Sequence, residues 1–117
     1  MPKVPAAAFG DVVVFSPAGP LIEGGLNEAL HRAVQTELAE GLKWVVIDMS
    51  RVPWINSSGV GTLMGCRTES LLRGGRFALS GANDRIMDLL NSLQLAKVFD
   101  CYAGLEEAVV ALGGTMH

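Results

Sequence analysis

The chain has 117 residues, half of them apolar, with a formal charge of −3. This is the size of one small domain, able to build a single core without disulfides or metal. No apolar run approaches the ~20 residues of a membrane-spanning helix, and the scattered lysines and arginines form no basic stripe for nucleic acid.

The opening segment MPKVPAAAFGD lacks the long apolar stretch of a secretory signal. Cys66 and Cys101 are too few and too distant in sequence for a disulfide framework, and read as reduced thiols of a cytosolic protein. The run VPAAA fits a weak edge strand, turning through Phe9, Gly10 and Asp11 into DVVVF, residues 11 to 15. That second run is β-branched and stops at the breakers Pro17, Gly19 and Pro20, so it reads as a strand. Leu26, Leu30, Ala33, Val34 and Leu38 recur at helical spacing, and Gly41 suits a left-handed cap beyond that helix. KWVVIDM, residues 43 to 49, is almost unbroken apolar sequence, as expected of a central strand covered on both faces.

After RVPWIN the helical spacing returns with Val60, Leu63, Met64 and Leu71, ending at Gly74 and Gly75. RFALS, residues 76 to 80, predicts a strand, and Asn83 can cap a helix carrying Ile86, Leu89, Leu90 and Leu93. KVFDCY predicts a short last strand. GLEEAVVAL predicts a last helix with Leu105, Ala108, Val109 and Leu112 inward and its glutamates near the positive end of the dipole. Strands alternating with helices imply an α/β layer structure with parallel pairing, its core around Val45 to Ile47.

Few residues can carry chemistry. His31 and His117 have no second ligand at metal spacing, so no metal or cofactor is expected. The glycine pairs form neither a Walker loop nor a dinucleotide fingerprint. INSSGVG is not the G-x-S-x-G elbow of a hydrolase, and a triad through His31 has no positive support. What remains is Asn56, Ser57 and Ser58 at a strand-to-helix junction. A hydroxyl there can accept a backbone N–H as a helix cap, worth about 1 kcal/mol. The same position favours anions, so a serine there can also carry a phosphate. The GPLIEGG loop, with Leu21 and Ile22, is either anchored in the core or an apolar docking patch beside the serines.

The stretch VVIDMSRVPWINSSGVGTLMG resembles the core motif of STAS domains, the family of bacterial anti-sigma-factor antagonists. That pattern is a strand ending Asp-Leu-Ser, then Asp-Ser-Ser-Gly-Leu-Gly opening a helix. Asp48, Met49 and Ser50 match the strand end, and Ser57, Ser58, Gly59 and Gly61 match the loop and helix start. YAGLEEAVVAL resembles the family's last helix, and the order of elements agrees from about residue 4 to 112. The resemblance implies one STAS domain over residues 4–113, with a mixed, mostly parallel sheet of about five strands and about four helices mainly on one face.

It also implies a function. An unphosphorylated antagonist binds an anti-sigma factor that is a serine kinase, releasing a sigma factor for transcription. The kinase then phosphorylates the antagonist, which dissociates, and a serine phosphatase resets it. The motif places the acceptor at Ser58, with Asn56, Ser57 and Gly59 as its neighbourhood, and partner docking is expected at Leu21, Ile22, Glu23 and Met64. The implied protein is a cytoplasmic monomer or weak dimer and not an enzyme. Asn56 stands where the family has an acid, and the family's Gly-Glu-Leu-Asp is Gly19, Pro20, Leu21 and Ile22 here. Both departures make the site less negative, and Glu23 is expected to substitute in part. A STAS subunit of a lipid-transport ABC complex or a signalling scaffold, docking without phosphorylation, is the alternative role.

Overall fold

A computed structural model describes residues 2–116, so His117 lies outside the described residues. Among the described residues nine elements follow in chain order. They are β1 (Ala6–Phe9), β2 (Val12–Phe15), α1 (Gly25–Ala39), β3 (Trp44–Asp48), α2 (Ser57–Leu72), β4 (Arg76–Ser80), α3 (Asp84–Ser92), β5 (Cys101–Tyr102) and α4 (Leu105–Ala111). The strands form one five-stranded sheet in sequence order. β1 joins β2 as an antiparallel hairpin, and β2, β3, β4 and β5 run parallel. The expected α/β fold, with its mixed and mostly parallel sheet, is the one observed.

Side-chain alternation along the strands divides the core in two. Val13, Phe15, Val45, Ile47, Phe77 and Leu79 face a large cluster with Leu30, Val34, Leu63, Ile86 and Leu90 from α1, α2 and α3. Val12, Val14, Val46 and Ala78 face a smaller one with Ala108, Val109 and Leu112, from α4 and the residue that ends it. Three crossover helices thus cover one face and α4 the other. β3 is apolar throughout because both of its faces are buried.

Three expectations require correction. Leu71 does not face inward: it is 41% exposed. The buried positions of α2 are Gly59, Leu63, Cys66 and Ser70. Ser70 holds the inward place because its single hydroxyl proton is shared between the carbonyls of Lys43 and Arg76, both within hydrogen-bond reach, at the starts of β3 and β4. Leu93 lies just past α3 and is 49% exposed. KVFDCY is not extended over its length. Lys97 to Asp100 form turns, with the Phe99 N–H on the Leu95 carbonyl at 3.0 Å and Asp100 at φ 53°. That turn drives Phe99 fully into the core beside Phe77, their ring centroids 6.1 Å apart. Only Cys101 and Tyr102 remain to pair with β4.

Because four strands are parallel, their C-terminal ends share one end of the sheet, and the loops leading into the helices gather there. In such sheets this is the end where function collects.

Candidate functional site

Two loops meet at that end. Residues after β2 form a parallel bridge between Leu21 and Ile55, in the loop before α2. The Leu21 N–H donates to the Trp54 carbonyl at 3.0 Å, and the Asn56 N–H to the Leu21 carbonyl at 3.3 Å. The first turn of α2 presses on the same backbone. A Cβ at Gly59 would collide with the Leu21 carbonyl oxygen, so this position admits only glycine at this separation. The glycine of the serine motif is thus a packing requirement between two loops.

Asn56 caps α2, with extended backbone and its Oδ1 accepting the Gly59 N–H at 3.2 Å. The cap is therefore the amide rather than a serine hydroxyl, and Ser57 and Ser58 are the first two residues of the helix. Asparagine suits the role because its oxygen reaches the unpaired donors of the first turn. Its Nδ2 donates to Glu23 Oε1 at 3.0 Å, and Ser58 Oγ donates to the same oxygen at 3.3 Å. Glu23 therefore lies against Ser58, 35 residues away in sequence. Its own backbone N–H, the Asn56 amide and the Ser58 hydroxyl, in that order, hold its carboxyl below the ordinary value of 4.5. Donors to a carboxylate favour its charged form. At the strand end, Asp48 Oδ1 accepts the Ser50 N–H at 3.0 Å and shapes the turn out of β3.

The residues expected to dock a partner differ in exposure. Ile22 is 39% exposed and Glu23 is exposed, so both are open to a partner. Leu21 is fully buried, which resolves its two readings: it anchors the loop and cannot itself touch a partner. Met64 is half-buried on α2 against the larger core cluster. Ser57 is exposed and Ser58 half-buried. His31 is not at this site. Its Nε2 is 3.1 Å from Glu69 Oε2, and it faces α2 near Gly65. Gly65 lies roughly 10 Å of helix rise beyond Ser58, so His31 orients no serine.

Helical and strand spacing gives no sign of the pair Trp54 and Arg85, which the fold brings together beside the site. The Arg85 guanidinium carbon lies 4.5 Å from the centre of the Trp54 ring, joining the loop before α2 to the first turn of α3. Asn83 reinforces that join by donating to the Pro53 carbonyl at 3.0 Å while capping α3. A tryptophan two residues before the cap was the available signal; its cationic partner is distant in sequence.

The STAS domain model matches residues 3–108. The chain belongs to the STAS family. Solved structures share the fold. A Thermotoga maritima protein described as a candidate anti-sigma factor antagonist superposes with a TM-score of 0.85 at 24% identity, covering 93% of each chain. The phosphorylated form of the Bacillus cell fate determinant SpoIIAA superposes with a TM-score of 0.73 at 21% identity, over 93% of this chain and 98% of that one. The murine anion transporter Slc26a9 superposes with a TM-score of 0.81 at 12% identity, over 96% of this STAS domain but 22% of the transporter. No helix among the described residues is long and apolar enough to cross a membrane.

Proposed function

We propose that this STAS domain is an anti-sigma-factor antagonist, docking through the α2 end of the sheet onto an anti-sigma factor serine kinase and switched by phosphorylation of Ser58. The observation that carries this reading is the placement of the Ser58 hydroxyl, half-buried in the first helical turn and bonded to Glu23 beside the exposed Ile22. SpoIIAA, an anti-sigma factor antagonist of the same fold, has structures in phosphorylated and unphosphorylated forms. In the proposed step Ser58 Oγ bonds to the γ-phosphorus of ATP, the bond to the β-phosphate bridging oxygen breaks, ADP leaves and the hydroxyl proton is released. The phosphate brings about −1.5 to −2 charges. Burying such a group unpaired in an interface costs on the order of several kcal/mol, enough to end binding. A serine phosphatase then resets the protein.

Glu23 supports the reading by returning a carboxylate to the serine where Asn56 removed one. The test is phosphosite mapping after incubation with ATP and the anti-sigma kinase encoded nearest, with calorimetry of that kinase against wild type and Ser58→Asp. Phosphate on Ser58 and binding weakened at least tenfold are expected. Equal affinity of the two forms overturns the switch.

Ile22 favours a second reading, since an apolar residue stands at the rim in place of the family's acid. There the domain is a docking subunit of a lipid-transport ABC complex or scaffold. A membrane ATPase as the stable copurifying partner would support it, and a soluble kinase would not.

A further inference from the structure

We propose that Glu23 and Asn56 form a latch holding the tip of the loop before α1 against the start of α2, and that a negative charge on Ser58 opens it. This deepens the switch proposed above and rests on Ser58 being the residue modified. Asn56 uses both ends of its amide: Oδ1 accepts the Gly59 N–H, and Nδ2 donates to Glu23. An aspartate there could cap the helix but could not donate, and would face Glu23 as a second anion. The amide at 56 and the acid at 23 are thus a matched pair.

The base of the loop is fixed by backbone bonds, and its tip is held by side chains. Leu21 is buried and pinned by two backbone hydrogen bonds to the loop before α2. From Ile22 to Gly24 the chain is exposed, and Gly24, at φ 114°, provides the bend into α1. The side-chain bonds of Glu23 to Asn56 and Ser58 tie this tip to α2. Forming the oxygen–phosphorus bond at Ser58 removes the hydroxyl proton, and with it one of those bonds. The added phosphate then stands against the carboxylate that had accepted it. Glu23 is driven outward and carries Ile22 with it, so modification changes the shape as well as the charge of the surface a partner meets.

The experiment needs no kinase. Isotope-labelled full-length chain is compared by NMR relaxation as wild type, Ser58→Asp, Asn56→Asp and Asn56→Asp/Glu23→Gln. Wild type should show rigid backbone at residues 22–24, with order parameters of about 0.85. In Ser58→Asp and Asn56→Asp they should fall below about 0.6 at those residues, while Leu21 and Gly59 stay rigid. The double variant exchanges the donor and acceptor ends of the latch and should restore rigidity. An unchanged tip in Ser58→Asp overturns the proposal, as does a double variant no more rigid than Asn56→Asp alone. If Ser58→Asp does not fold, the two variants at position 56 still decide whether the pair is a latch. An opening latch with unchanged affinity for the kinase would overturn the phosphoswitch and leave the latch standing.

Discussion

Glu23 is exposed, yet its carboxyl is held below the ordinary 4.5 by its own N–H, Asn56 and Ser58. A lowered folded value has a definite sign. The stability it contributes is fully present above the unfolded value of 4.5 and is lost as pH falls through the lowered folded value. Glu23→Gln should therefore flatten the acid limb of stability below that value while leaving the shape of the curve near neutrality unchanged. Urea midpoints measured from pH 2 to 7 check this; parallel acid limbs in both proteins would refute it. Asn56→Ala removes the cap and should cost about 0.5–2 kcal/mol. Gly59→Ala should cost more than an ordinary surface substitution, about 1–3 kcal/mol, because the new methyl meets the Leu21 backbone rather than a side chain that can move. Chemical denaturation measures both. The motif residues were legible in the sequence because their spacing is local. That the cap is Asn56 rather than a serine was not, since Asn56, Ser57 and Ser58 can all accept an N–H and only the chain path decides between them. The contact between Glu23 and Ser58 depends on two loops being pinned together, and periodicity carries no information on that.

At the scale of an element, α2 shows where apolar spacing misleads. Leu71 continues a plausible stripe, but the inward positions run through Leu63, Cys66 and Ser70. A serine breaks an apolar stripe in the sequence, while in the fold its one proton is shared between two strand-start carbonyls. Ser70→Ala should cost about 1–3 kcal/mol by removing the one proton those buried carbonyls share. Leu71→Ser should stay within about 0.5 kcal/mol. Thermal melts of the two variants give the comparison directly, and a larger loss from Leu71→Ser would place the stripe where its spacing first suggested. The last strand fails for a related reason. KVFDCY has strand composition, but burying Phe99 beside Phe77 favours a turn over two further pairs at the sheet edge. The long runs were legible because both faces of β3 are covered, which leaves a continuous apolar signal that no turn interrupts.

Across the whole molecule, the two cysteines report on unequal parts of the fold. Burial pushes the Cys66 thiol up to about 12, helped by the charge of Glu69. Burial, with Asp100 beside it, pushes Cys101 up to about 11. Both are poor nucleophiles near neutral pH, since the thiolate is the reacting form. Their access differs further. Cys66 is fully buried on α2 within the larger core cluster, whereas Cys101 belongs to a two-residue edge strand that follows a run of turns. Edge segments with few pairing bonds open at lower free energy than the centre of a core. Cys101 should therefore react with a thiol reagent through local opening, and Cys66 only when the domain unfolds. Labelling at pH 8 followed by mass spectrometry should show Cys101 modified first. The Cys66 rate should rise with mild denaturant, while the Cys101 rate should stay nearly flat until the transition. Equal rates with equal denaturant dependence would mean that β5 unfolds together with the core, and that the sheet is one cooperative unit from β1 to its last strand.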